Sequence, residues 1–287
     1  MNATWSVRGR TVDVTRPLIM GIVNVTPDSF SDGGSFFSPG AALAHCAQLI
    51  AEGADILDIG GESTRPQGAE AVSAEEEIRR VLPVFRALAA ERPEVLLSAD
   101  TVKSVVADAA LGAGAHIVND VSGMRLDPEM AELCASHEAG VVLMHSRGGV
   151  TDMATYAHAT FHGDPVDAVM TELEERIAFA REWGIASERI AIDPGIGFGK
   201  RSAHSLRLLG CLERLVAWGH PVVIGASRKR FIGEITHVLE PRERVMGSIG
   251  AAVAAFERGA RIFRVHDVRA TRQALDVAAA IRDAGLA

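Results

Sequence analysis

Residues 189–200 read RIAIDPGIGFGK. An apolar run stops at an acid, Asp193, and a proline, three glycines and a lysine follow. A phosphate-gripping P-loop needs a glycine, four residues, then Gly-Lys and a Ser or Thr. Here three residues separate Gly195 from Gly199–Lys200, and Arg201 stands where the hydroxyl belongs. The register excludes that loop. What remains is a short strand-like run ending on a carboxylate.

The same pattern recurs along the chain: LIMGIVNV (18–25), ADILDIGG (54–61), VLLSAD (95–100), AHIVND (115–120), GVVLMH (140–145), PVVIGAS (221–227) and RIFRVHD (261–267). Continuous apolar runs of this length mark strands buried on both faces, as in a parallel sheet. Helical patterns lie between them. Ser73 and Glu76 predict a capping box, with Pro83 kinking the helix that follows. Asp164 and Pro165 open another helix, over Val169, Leu173 and Ile177. About eight strand–helix units in 287 residues predict an α/β fold, a (β/α)8 TIM barrel forming a single domain over 1–287, with an open doubly wound sheet as the rival. The opening TWSVRGRTVDVTRP alternates around Gly9 and predicts a short N-terminal β-hairpin closing the barrel's bottom.

Lys and Arg number 29 against 37 Asp and Glu, a formal charge of -8. That balance argues against a basic nucleic-acid-binding surface. No apolar run approaches the ~20 residues of a membrane span. Cys46, Cys134 and Cys211 match no metal spacing and read as buried free thiols. With no signal-peptide pattern at the N-terminus, the expectation is a soluble cytoplasmic protein without nucleic-acid or membrane partners.

In a barrel the active site lies at the C-terminal ends of the strands. Those ends carry Asn24, Asp58 with Glu62, Asp100, Asn119, His145, Asp193, Ser227 with Lys229, and Arg264 with His266. Capping of the next helix explains any one of them but not the whole series. Asp100, Asn119 and Asp193 suit a flat, N–H-rich heterocycle, because a buried carboxylate accepts two parallel bonds from an amino and ring N–H edge. Arg65, Lys229, Arg264 and His266 suit a phosphate or diphosphate. The polar loop after the first strand reads either as an ordinary surface loop or as a mobile lid, and the Asn24 oxygen suits a hard cation such as Mg2+. His158, His162 and Asp164 fall in a polar loop and read as solvated rather than as a zinc site.

The motifs NVTPDSFSDGG (24–34), DIGGESTRP (58–66), ADT (99–101), IVNDVSG (117–123), LMH (143–145), DPGIGFGK (193–200), GASRKRFIG (225–233) and RVHDV (264–268) together resemble the dihydropteroate synthase family. That family couples 6-hydroxymethyl-7,8-dihydropterin pyrophosphate to p-aminobenzoate in folate biosynthesis. The resemblance implies pterin binding by Asp100, Asn119, Asp193 and Lys229. It implies a p-aminobenzoate site from Thr64, Arg65, Pro66 and Phe198, with Arg230 at the position that many members fill with a carboxylate-binding Ser. Asn24, Arg65, Arg264 and His266 would face the pyrophosphate, with Mg2+ at Asn24. Asp28 would face a carbocation formed as diphosphate leaves, and Asp100, Lys229, Arg264 and His266 complete the catalytic set. The resemblance further implies a homodimer formed near MGSIGAAVAAF (246–256), whose other reading is packing on the barrel. Gln67, Ser146 and Arg230 depart from the common pattern around p-aminobenzoate and leave sulfonamide sensitivity open. The rivals are a methyltetrahydrofolate:corrinoid methyltransferase, which the SRK and RVH segments disfavour, and a non-catalytic pterin-binding paralogue, which the retained polar residues disfavour.

Overall fold

The structure, a computed structural model, describes residues 4–26, 39–62 and 72–285. A hairpin, β1 (Thr4–Val7) and β2 (Arg10–Asp13), precedes the barrel strands β3 (Leu18–Asn24), β4 (Ile56–Gly60), β5 (Leu96–Asp100), β6 (Ile117–Asp120), β7 (Gly140–Met144), β8 (Ile190–Asp193), β9 (Val223–Ile224) and β10 (Ile262–Val265). All neighbouring pairs in this eight-stranded sheet are parallel, in the order β8-β7-β6-β5-β4-β3-β10-β9. A parallel bridge between Ile192 and Val222 joins the two ends. The TIM barrel is thereby closed and the open-sheet rival falls.

The apolar runs are explained by burial on two sides. Ile19, Val23, Leu57, Ile59, Leu97, Val118, Val141, Ile192 and Phe263 face outward into the helices. Leu18, Met20, Ile56, Leu96, Ile117, Val142, Ala191, Val223 and Ile262 fill the lower interior together with Trp5 and Val7 from the hairpin. The hairpin is a plug, as its alternation predicts. Trp5 Nε1 donates to the Arg189 carbonyl at 2.9 Å, and Arg8 donates to the carbonyl of Ala115 at 2.8 Å.

The helices around the barrel are α1 (Pro39–Ala51), α2 (Ala74–Glu91), α3 (Ser104–Gly112), α4 (Met130–Ser136), α5 (Pro165–Glu182), α6 (Ser202–Gly210), α7 (Leu212–Val216), α8 (Arg230–Thr236), α9 (Val245–Glu257) and α10 (Val268–Ala284). Ser73 caps α2 by accepting from Glu76 N at 3.3 Å, and Asp164 caps α5 by accepting from Val166 N at 3.0 Å. Glu76 turns to Arg79 and Arg80 instead of closing the predicted box. Pro83 lies inside α2 without ending it. The strand predicted over 221–227 is only two residues long: Pro221 has no N–H to give the ladder, and the chain turns away at Gly225 toward the site. Cys46 and Cys134 are buried, while Cys211 is only half-buried, and all three are free.

Candidate active site

Every predicted strand-end residue among those described arrives at one mouth of the barrel. Asp58 on β4 is fully buried and is the hub of one network. It accepts from Ser98 Oγ (2.7 Å), Asn119 Nδ2 (3.0 Å) and Arg264 Nε (2.6 Å). Arg264 Nη2 donates across the mouth to Asp100 Oδ2 at 2.5 Å. Arg264 was grouped by sequence with the anion end, yet it stands between Asp58 and Asp100, the latter expected to face the heterocycle. Burial alone would lower its pKa, but Asp58 and Asp100 hold it above the ordinary arginine value. Burial lifts Asp100 to about 7, with Arg264 opposing and Asp58 adding to the rise.

Asp193, at the end of β8, accepts from Gly195 N at 2.6 Å. Burial raises it to about 6 against that hydrogen bond and the charges of Lys229 and Lys200. The turn that follows requires glycine. Gly195 has φ +67°, and a Cβ there would lie 1.9 Å from the His145 carbonyl oxygen. The turn brings Phe198 under Lys229, whose Nζ stands 3.9 Å from the ring centroid. Burial lowers Lys229 to about 8, and Arg264 pushes the same way.

At the other edge, Asn24 ends β3 beside Gly60 of β4 and is partly exposed. Its amide oxygen is a hard ligand of the kind that would suit a Mg2+ ion held mainly by phosphate oxygens and water. Among the described residues, no group of three or more His, Cys, Asp or Glu is placed to hold a metal by itself. His266 Nδ1 lies 3.0 Å from Ser227 Oγ. Arg230 is exposed and stacks over Tyr156 at 4.5 Å, with Arg201 over the same ring at 5.3 Å. Asp28, Thr64, Arg65 and Pro66 lie outside the described residues, as do Gln67 and most of the predicted lid.

Sequence reasoning placed Asp58 at a strand end without giving it a role. Its signal was an acid inside the apolar run ILDIG. The same reasoning weighed Lys200 only as a P-loop lysine and did not single out Glu172. Lys200 Nζ lies 2.8 Å from His145 Nδ1, and His145 Nε2 lies 3.1 Å from Glu172 Oε2.

A barrel mouth that combines buried acceptors, two cations and an aromatic wall is a site for a flat, hydrogen-bonding ring, and the family model described as pterin binding enzyme matches residues 20–266. The chain belongs to that family. The dihydropteroate synthase of Synechocystis sp. is 43% identical over 266 residues, covering 93% of this chain and 90% of that protein. A structure of Xanthomonas albilineans dihydropteroate synthase with 4-aminobenzoic acid superposes with a TM-score of 0.90 at 48% identity, covering 98% of this chain and 99% of that one. The same enzyme in complex with 7,8-dihydropteroate gives 0.86 at 46% identity, covering 97% and 98%. Within the pterin-binding enzymes the chain therefore falls with the dihydropteroate synthases, which are transferases.

Proposed function

We propose that this chain condenses 6-hydroxymethyl-7,8-dihydropterin pyrophosphate with p-aminobenzoate, giving 7,8-dihydropteroate and pyrophosphate. The observation that carries the reading is the convergence of Asp58, Asp100, Asn119, Asp193, Lys229 and Arg264 at one mouth beside the Phe198 ring. Asp193 and Asn119 accept and donate at the pterin's amino and ring N–H edge. Lys229 donates to the ring from above Phe198. Asp100 and Arg264 form a neutralised pair against the ring's reacting side.

The reaction is a dissociative substitution. The bond from the exocyclic methylene to the diphosphate oxygen breaks, and its electron pair leaves on the diphosphate. The cation left behind is delocalised into the ring and stabilised by neighbouring carboxylates, with Asp28 in that role by resemblance. The aniline nitrogen supplies its lone pair to form the new C–N bond and then loses a proton. The weakly basic aniline nitrogen needs no strong base to attack so reactive a cation. Two nitrogens of Arg264, Nε and Nη2, are committed to Asp58 and Asp100, so the diphosphate meets its remaining edge together with His266. Bound at Asn24, Mg2+ would neutralise charge on the leaving diphosphate. Thr64, Arg65, Pro66 and Phe198 hold p-aminobenzoate in this reading, with Arg65 also reaching the diphosphate and Arg230 near the carboxylate.

A homodimer belongs to the same reading. Between α6, α8 and α9 runs an apolar groove that includes Leu206, Phe231, Ile235 and Ala251. Leu206 and Ile235 are exposed there and Met246 is exposed at the start of α9, while Ser248, Ala252 and Phe256 on the other face of α9 pack inward. No helix among the described residues is long and apolar enough to cross a membrane, and composition favours a cytoplasmic location.

The deciding experiment supplies pterin pyrophosphate, p-aminobenzoate and Mg2+ and measures pyrophosphate release together with dihydropteroate. Release that does not depend on p-aminobenzoate, or no release at all, would overturn the assignment.

A further inference from the structure

The proposed reaction makes no use of Lys200, although it is 1% exposed and lies one loop from the substrates. An ammonium has three donors. Those of Lys200 meet His145 Nδ1 at 2.8 Å, the Phe198 carbonyl at 3.0 Å and the His145 carbonyl at 3.3 Å. Donation to Nδ1 requires the imidazole to carry its proton on Nε2, which then donates to Glu172 Oε2 at 3.1 Å. Glu172 is gripped in turn by Arg147 through Nε, at 3.1 Å, and Nη2. Burial works against Glu172, but His145 and Arg147 bring it down to about 2, so the chain ends on a firm negative charge. A buried ammonium is costly unless its charge is compensated. Burial lowers Lys200 to about 7, and compensation that opposes this fall arrives from the charge of Asp193 and from Glu172 through a neutral imidazole.

The geometry makes this chain a brace for a single loop. Residues 194–199 leave the barrel at Asp193, which takes Gly195 N, and return at Lys200, which takes the Phe198 carbonyl. Phe198 N closes the turn on the Gly195 carbonyl at 3.0 Å. The ring that emerges packs with Val102, Val121, Met144 and Met153 and supports Lys229 on its face. Taking away the ammonium would leave the Phe198 and His145 carbonyls without the donor that pins the loop to the end of β7.

We propose that Lys200, held by His145 and Glu172, is a positioning residue for the aromatic-amine substrate: it fixes the loop that presents the Phe198 ring. The proposal rests on the reading of Phe198 as a wall of the p-aminobenzoate site. Because Asp193 and Asn119 are anchored on strands, pterin binding should survive loosening of the loop, whereas the amine should lose its wall.

The test measures KM for p-aminobenzoate, KM for pterin pyrophosphate, kcat and the calorimetric affinity for a pterin in Lys200→Met, Glu172→Gln and Phe198→Ala. The expected result is a rise of tenfold or more in the p-aminobenzoate KM for Lys200→Met and a smaller rise for Glu172→Gln, with pterin affinity within twofold of wild type. Should Lys200→Met fail to fold, Glu172→Gln, which alters a half-exposed group, decides on the same criterion. Equal losses for both substrates would show a merely structural role and overturn the proposal. A raised KM in Phe198→Ala with none in the other two would overturn the positioning role while leaving the wall in place. An unchanged KM in Phe198→Ala would remove the wall and the proposal together.

Discussion

Arg264 on β10 donates through Nη2 to Asp100 on β5 at 2.5 Å, reaching past β3 and β4 to do so. Its Nε rests on Asp58 on the way. One guanidinium thus ties three strands at the mouth, and its charge is already balanced before any substrate arrives. Asp58→Ala would leave Arg264, Asn119 and Ser98 without their common acceptor in a buried site. Loss of one partner of a buried pair costs about 3–5 kcal/mol. Urea unfolding should show a loss of that order, and an unchanged midpoint would mean that the network carries no net stability.

Asp193→Asn preserves shape but places a donor where the pterin edge also donates. Charge-assisted bonds lost in this way should weaken pterin binding by roughly 2–4 kcal/mol. Calorimetry with a pterin that lacks phosphate measures this directly. Wild-type affinity would mean that Asp193 serves only to hold Gly195.

Pterin affinity should also depend on pH in two limbs. Burial raises Asp193 to about 6, so below that pH it gains a proton and ceases to be a pure acceptor. Burial lowers Lys229 to about 8, so above that pH it loses a donor and its charge. Affinity should be greatest between these values and fall on both sides. Lys229→Met should abolish the alkaline limb while keeping the acidic one. Survival of the alkaline limb in that variant would assign it to another group.

How far the sequence could lead is clear from these same residues. Asp100, Asn119 and Asp193 were legible because a polar side chain at the end of an apolar run is a local signal. The barrel was legible for the same reason, since eight such runs repeat. Partnership was not legible. Asp58 and Arg264 meet across 206 residues and Lys200 and His145 across 55, and no local pattern encodes which strand ends face each other. With the P-loop excluded, the lysine after the glycine-rich stretch had no assigned role, and only the folded barrel shows that His145 at the end of β7 stands behind it. The strand of the run 221–227 was legible but its shortness was not, because ladder pairing depends on neighbours.

The groove between α6, α8 and α9 gives a test of assembly. Ile235→Glu puts a charge on an exposed position of the groove, away from the barrel mouth. If the proposed homodimer forms through this groove, sedimentation should show the wild type as a dimer and the variant as a monomer, with an unchanged circular dichroism spectrum. An unaltered dimer would place the interface elsewhere.

Trp5→Ala would remove the largest side chain of the plug together with its bond to the Arg189 carbonyl. Large-to-small changes of this kind cost about 3–5 kcal/mol. The melting temperature should drop, while KM for both substrates stays near wild type because the plug lies at the opposite end from the chemistry. Altered KM values would show that the two ends of the barrel are coupled.

The plug has a further meaning for how the molecule is made. Trp5 finds its partner carbonyl 184 residues later, at Arg189, and Arg8 finds its own 107 residues later, at Ala115. During synthesis the hairpin exists well before the strands it will seal. Its apolar face must wait, unburied, until β8 has emerged, at roughly 5–20 residues per second. The segment made ahead of the barrel is therefore among the last to be fitted, and for about 10–40 seconds the nascent chain carries an exposed tryptophan.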